Sequence, residues 1–280
     1  MSALPLSVDL ADLANRLEKL VREAGERALA DWRSGERTIA RIEWKGSSPV
    51  TSADHAVDAM ISAEVARLAS AGFGPLHYHS EERPESWRGA ADGLTIVIDP
   101  IDGTRAFMEG RDDWCIALGV LHAGEPLLGL LHVPARGEMF TAHRGGGARF
   151  QGQPVTLAAE PTLPVRAAGP RSVFEIVTRE AGIAFESMPN IAALAHRLVR
   201  PLAGDLDLAL ARPGAHDWDI VAAHCILREA GGALLWPDGR SPRYALTGEE
   251  HPALLAGSLG LLDQLMPSLL TGSLSAAKRG

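Results

Sequence analysis

The apolar, β-branched run Leu94-Thr95-Ile96-Val97-Ile98 leads directly into Asp99-Pro100-Ile101-Asp102-Gly103-Thr104. Its length and composition predict a buried β-strand, so the chain must fold around this segment. Pro100 removes a ladder donor and Gly103 frees the backbone to turn, which places Asp99 at the strand's exit. Two carboxylates, a hydroxyl and exposed amides at a strand end make a binding site for a divalent cation and a phosphate. The same residues also suit a polar turn in which Asp and Thr cap a helix. The rest of the chain separates the two readings.

At 280 residues the chain has length for one large domain or two fused lobes. Hydrophobic residues make up 46% and charged residues 22%, the balance of a soluble globular protein. No apolar run approaches the roughly 20 residues of a membrane span. Met1-Ser2-Ala3-Leu4-Pro5 lacks a basic segment followed by an apolar core, so a cytoplasmic protein without membrane contact is expected. Cys115 and Cys225 are the only cysteines, which argues against a disulfide framework or a thiolate metal site. The net charge of −8, with no basic tract, argues against a nucleic-acid polymer as partner. For a phosphate-ester substrate, bound cations must supply the attraction.

Leu10, Leu13, Leu17, Leu20, Val21, Ala24 and Ala28 recur at helical spacing and predict an amphipathic helix over about Val8–Arg33. Ser52 is expected to cap a second helix carrying Val57, Met60, Ile61, Val65 and Leu68. Ile116–His122 and Leu127–Val133 flank Ala123-Gly124-Glu125-Pro126, a hairpin signal, and Gly137–His143 adds another antiparallel strand before Gly145-Gly146-Gly147. Those glycines read as a turn, because no Lys-Ser or Lys-Thr follows to make a phosphate loop. Beyond Leu163, helical patterns at Ser172–Ala181, Ile191–Leu202 and Asp219–Ala230 alternate with short strands at Val165–Ala168, Leu206–Leu210, Ala233–Trp236 and Ala253–Ala256. This is an α/β chain of two lobes, 1–162 and 163–280, sharing a layered sandwich. The tail after Thr271 is expected to fray. His77-x-His79 is read as a surface pair and Cys225 as a small core residue.

Further acids gather around the motif in sequence order: Asp54 just inside the second helix, Glu81-Glu82 after Pro75–Ser80, and Asp217-Trp218-Asp219 at the late helix. Taken singly, these are first-turn acids and surface charge. Four ordered blocks together resemble the inositol monophosphatase superfamily: Lys45 to Asp54 with Pro49-Val50-Thr51, the Glu pair after Ser80, Asp99–Thr104, and Trp218-Asp219 followed by Glu229-Ala230-Gly231-Gly232. The resemblance implies an αβαβα sandwich, a homodimer and Li⁺ inhibition. It makes Glu81, Asp99, Asp102 and Asp219 metal-binding carboxylates, with the Ile101 carbonyl as a further ligand. All are hard oxygen donors, suited to two or three Mg²⁺ ions. Glu81 and Thr104 would position the attacking water, Asp54 would orient Thr104, and Asp102 with the amides of Gly103 and Thr104 would face the phosphate. Lys45 matches an accessory family lysine.

The reaction so implied is Mg²⁺-dependent hydrolysis of a small phosphate monoester by activated water. The opening motif is not the Asp-x-Asp of phosphatases with an aspartyl nucleophile, since Asp99 and Asp102 are three apart. Inositol-type members carry a polyol-binding Glu seven positions before the last metal aspartate; Arg212 stands there. A guanidinium disfavours polyol and favours a second anionic group, pointing to a 3′(2′),5′-bisphosphate nucleotide such as adenosine 3′,5′-bisphosphate. The alternatives are inositol 1-phosphate, then histidinol phosphate or fructose 1,6-bisphosphate. A catalytically silent metal-binding regulator on the same scaffold is the rival of a different class.

Overall fold

The computed structural model describes residues 8–83, 93–159 and 162–270. In chain order the elements are α1 (Leu10–Leu29), β1 (Ile42–Lys45), β2 (Ser48–Thr51), α2 (Ser52–Leu68), β3 (Leu76–Ser80), β4 (Leu94–Asp102), α3 (Thr104–Met108), β5 (Cys115–His122), β6 (Glu125–Val133), β7 (Glu138–His143), β8 (Gly147–Phe150) and β9 (Gln153–Val155). There follow β10 (Val165–Ala168), α4 (Arg171–Ala181), β11 (Phe185–Ser187), α5 (Leu194–Val199), β12 (Leu208–Ala211), α6 (Asp217–Glu229), β13 (Gly232–Leu235), β14 (Leu254–Ser258) and α7 (Leu259–Leu270). Strands β3 to β9 form one sheet in sequence order, with only the β3–β4 pair parallel. The second sheet runs β11-β10-β12-β14-β13, with β11, β10 and β12 parallel.

The predicted strand Leu94–Ile98 is the central part of β4, and every residue of β4 is buried. Its alternation assigns the two faces. Ile96 and Ile98 join Ile116, Leu118, Leu128 and Leu130 against Leu13, Leu17, Val57 and Ile61 of α1 and α2. Val97, Ala117 and Leu131 face the other way, toward Val221, Ile226 and Leu227 of α6. Helices α5 and α6 therefore fill the space between the sheets, while α4 and α7 cover the outer face of the second. The layers read α-β-α-β-α, as expected. The proposed division at 162/163 falls in the connection between β9 and β10, yet α6 crosses back to complete the core of the first sheet.

Two glycines allow that crossing. A Cβ on Gly119 of β5 would stand 2.2 Å from Val221 Cγ1, and one on Gly129 of β6 would stand 2.3 Å from the carbonyl oxygen of Ala222. The helix thus lies directly on the sheet's backbone, and its first turn is brought to the end of β4.

Several local expectations need correction. The cap of α2 is Thr51, not Ser52: its side chain accepts from the amides of Ala53 and Asp54, while Asp54 Oδ2 accepts from Thr51 N at 2.8 Å. Helix α1 stops at Leu29, short of Arg33, and begins on Asp9, whose carboxylate accepts from Ala11 N and Asp12 N. The pattern Ile191–Leu202 yields only α5 and a 3₁₀ turn at Arg200–Ala203. Pro201 cannot donate to a helical ladder, and the amides of residues 192–195 are spent on Asp113 and Asp102. The tail after Thr271 lies outside the described residues.

Gly129→Ala is expected to lower stability by roughly 1–3 kcal/mol, because backbone of α6 occupies the space of the new methyl. Urea unfolding checks this; an unchanged midpoint with unchanged slope would contradict the close packing of α6 on β6.

Candidate active site

Strand β4 delivers both aspartates of the opening motif and then changes direction between them. Asp99 pairs with Ala117 and Asp102 with Cys115, and the register shifts between the two. The irregularity sits at Pro100, which cannot donate to the ladder. Asp99 Oδ1 accepts from the amide of Ile101 at 3.0 Å, closing a local turn. Gly103 follows with φ 88° and ψ 37°, a left-handed conformation that suits glycine. Its α face abuts Ala193, whose backbone nitrogen would lie 3.3 Å from a Cβ placed there.

Asp102 is bound to the second half of the chain. Its Oδ1 accepts from Leu194 N at 3.0 Å and its Oδ2 from Ala195 N at 2.5 Å. Burial pushes its carboxyl up to about 6 even though these two amides pull it down. Asp219, in the first turn of α6, accepts from His216 N through Oδ2 at 2.7 Å. Glu81 follows β3, where its amide donates to Ile98 O at 3.2 Å and so fixes it beside β4.

These four carboxyls feel one another. Asp99 is raised well above the usual carboxylate range by burial and by the charges of Glu81, Asp102 and Asp219. Asp219 is raised likewise by burial, Asp102 and Glu81. Glu81 is pushed up to about 8, first by burial and then by Glu82 and Asp54. The Glu81 and Asp99 side chains also act directly on each other, lowering the one and raising the other. Their oxygens are not drawn into a finished coordination shell: among the described residues, no group of three or more His, Cys, Asp or Glu side chains stands ready to hold an ion. The donor set is nonetheless the one a hard divalent cation takes, four carboxylates and the Ile101 carbonyl, and a cation would relieve the repulsion that raises them.

Thr104 lies beside Asp54 but is held more closely by Ile101. Thr104 Oγ1 lies 3.0 Å from Ile101 O and 3.4 Å from Asp54 Oδ1, so its proton goes chiefly to the carbonyl. Asp54 is almost fully buried and is pushed up to about 7 by that burial, against the hydrogen bonds from the Thr51 side chain and backbone. Lys45 pairs with Glu82 and not with Glu81. Arg212 is exposed just beyond β12 and has no hydrogen bond or ion pair among the described residues.

Other side chains near the motif are structural. Asp217 is buried, accepting from Leu246 N at 2.8 Å and lying 2.8 Å from His251 Nε2. The glycines 145–147 form the turn between β7 and β8, and the amides of Gly145 and Gly147 donate to Glu229. Cys225 is buried in the core. The histidine pair is not the surface feature its spacing suggests: His77 is exposed, but His79 is buried, its ring 5.8 Å from that of Trp218.

No sequence motif marks Arg197, which is 6% exposed and lies on α5. It donates from Nε to Leu210 O at 3.1 Å and from Nη1 to Asn190 Oδ1 at 3.1 Å and to Ile191 O. The only signal was a basic residue between the inward positions Ala195 and Leu198 of a helical pattern.

Asp54→Asn is expected to stabilise the protein at pH 8 by roughly 1–3 kcal/mol, with a smaller gain at pH 5. Between the ordinary Asp range and about 7 the folded state keeps a proton the unfolded chain has released, so wild-type stability falls as pH rises through that window. Urea unfolding of both proteins at the two pH values measures the difference, and a gain independent of pH would contradict the raised Asp54 pKa.

Comparison with known proteins places this geometry in context. The Inositol monophosphatase family pattern matches residues 9–268. The chain is 27% identical over 241 residues to an inositol-1-monophosphatase of Mesorhizobium japonicum, covering 81% of this chain and 86% of that protein. It is 34% identical over 148 residues to a histidinol-phosphatase of Chlorobaculum parvum, about half of each chain (53% and 54%). The fold matches the extragenic suppressor protein suhB of Bartonella henselae with a TM-score of 0.75 at 23% identity, over 93% of this chain and 99% of that one.

Proposed function

We infer from this chain, which belongs to the inositol monophosphatase family and is accordingly a phosphoric monoester hydrolase, a Mg²⁺-dependent reaction centred on Glu81, Asp99, Asp102 and Asp219. The observation that carries the reading is the burial of these four carboxyls, which raises each of them, together with the neighbouring carboxylate charges that raise Glu81, Asp99 and Asp219 further. With the Ile101 carbonyl they would hold the cation. When bound, Mg²⁺ supplies a lowered pKa for the attacking water and offsets charge on the departing ester oxygen.

The chain's own groups do the positioning. The amides of Gly103 and Thr104 offer donors to the phosphate oxygens. Thr104 Oγ1, held by Ile101 O and near Asp54, orients the water together with Glu81. Asp54, its carboxyl fastened by Thr51 N and Thr51 Oγ1 at 2.8 and 2.6 Å, stands 3.4 Å from that hydroxyl and supports the Ile101 carbonyl in orienting it. Lys45 keeps Glu82 neutralised beside Glu81. Attack in line by water needs no phosphoenzyme, and phosphoryl transfer depends mainly on such positioning and charge stabilisation.

The substrate reading is a small phosphorylated metabolite with a second anionic group, a 3′(2′),5′-bisphosphate nucleotide being the favoured class. Exposed Arg212, without a protein partner among the described residues, supports it. Inositol 1-phosphate is the second reading, favoured by the similarity to the Mesorhizobium enzyme.

Asp99→Asn and Asp219→Asn are each expected to lower Mg²⁺-dependent phosphate release at least about a hundredfold while far-UV circular dichroism stays native. Full activity in either purified variant would sink the assignment.

A further inference from the structure

Strand β3 is the edge of its sheet: it pairs with β4 on one side and, among the described residues, with no strand on the other. The ladder ends at Ser80, and Glu81 follows it with an amide that donates to Ile98 O. On the open side stands a cluster of side chains. Asp58, on α2 and 4% exposed, accepts at Oδ1 from the Tyr78 hydroxyl at 2.8 Å. Its Oδ2 accepts from Arg83 Nε at 2.6 Å. The Arg83 guanidinium also lies over the Tyr78 ring, 5.5 Å from its centre. Burial and the Asp58 charge raise the Tyr78 hydroxyl, which keeps it a donor.

The two partners bracket Glu81. Tyr78 lies three residues before it and Arg83 two after it, so one carboxylate grips the chain on both sides. The Arg83 amide donates to Ser80 O at 3.1 Å and closes a turn whose central residues are Glu81 and Glu82. The Glu82 amide donates to Ser80 Oγ at 3.2 Å inside the same turn. Asp58 stands one helical turn after Asp54 on the same side of α2, and both are buried. Helix α2 therefore offers the site two acids, Asp54 beside Thr104 and Asp58 against the turn that carries Glu81. A buried ion pair adds little net stability over apolar groups of like volume, so packing alone does not call for one here.

We propose that Asp58 is a positioning residue for the cation centre: through Tyr78 and Arg83 it sets the 80–83 turn, holds the Glu81 carboxyl toward Asp99, and so sets the affinity for Mg²⁺. The inference rests on the phosphatase reading above and deepens it by naming what aligns one of its four carboxyls. None of the three side chains touches the reacting atoms. Loosening the clamp leaves every ligand in the chain but lowers the share of molecules in which Glu81 is aligned. Apparent metal affinity falls by that share. At saturating Mg²⁺ the bound cation draws Glu81 back into place, so turnover is largely kept.

The test titrates Mg²⁺ alone into the substrate-free protein by calorimetry at pH 7.5. Phosphate release from adenosine 3′,5′-bisphosphate and from inositol 1-phosphate is followed separately across Mg²⁺ concentrations. Arg83→Met keeps an apolar stem over Tyr78 and removes the ion pair. Its Kd for Mg²⁺ is expected to rise about five- to twentyfold, while kcat at saturating Mg²⁺ stays within about threefold of the wild type. Arg83→Lys, which restores a cation beside Asp58, recovers part of the affinity, and Tyr78→Phe weakens it in the same direction. In a Glu81→Gln background, adding Arg83→Met changes the Kd by less than about twofold, because the group it positions is already lost. The double variant Asp58→Asn/Arg83→Met leaves no unpaired buried charge, so it carries the decision if a single variant does not fold. A folded variant without the ion pair that binds Mg²⁺ with wild-type affinity, whatever its Tm, overturns the proposal and leaves the phosphatase reading standing. An equal loss of affinity with Glu81 and with Gln in its place does the same. A wild-type protein that neither binds Mg²⁺ nor releases phosphate from either ester overturns the phosphatase reading, and the role of Asp58 with it.

Discussion

Like charge, buried and crowded, is the constraint around which the molecule is arranged. Glu81, Asp99, Asp102 and Asp219 come from the end of β3, from β4 and from the first turn of α6, and their mutual repulsion adds to the cost of removing each from water. Backbone amides offset part of that cost: Ile101 for Asp99, Leu194 and Ala195 for Asp102, and His216 for Asp219. A divalent cation would supply the remaining counter-charge.

The scaffold holds this crowding by close packing on both sides. β4 is buried along its length, so its exit cannot drift. Helix α6 lies on Gly119 and Gly129, which sets how far Asp219 stands from Asp99 and Asp102. The second sheet contributes through α5, whose opening amides grip Asp102, and through β12, which ends beside Arg212. The site therefore belongs to the shared middle layer, and neither sheet builds it alone.

Much of this was legible in the chain because local signals and burial agree. The run Leu94–Ile98, the hairpin at Ala123-Gly124 and the period of α1 each have a single physical solution. Other features depend on tertiary contacts. Helix α5 is shorter than its pattern because its leading amides are taken by Asp113 and Asp102. His79 is buried because Trp218, distant in sequence, arrives beside it. Arg197 reads as an ordinary basic residue until Leu210 and Ile191 close around it. Thr51, not Ser52, caps α2 because Asp54 completes a reciprocal pair with Thr51.

The central claim is that the buried carboxylates await a divalent cation. Thermal unfolding at pH 7.5 in MgCl₂, against NaCl of equal ionic strength, tests it directly because general screening is matched. The account predicts a Tm that climbs with Mg²⁺ concentration, by about 2–6 °C once the site is well occupied. An identical Tm in the two salts across the titration would contradict it.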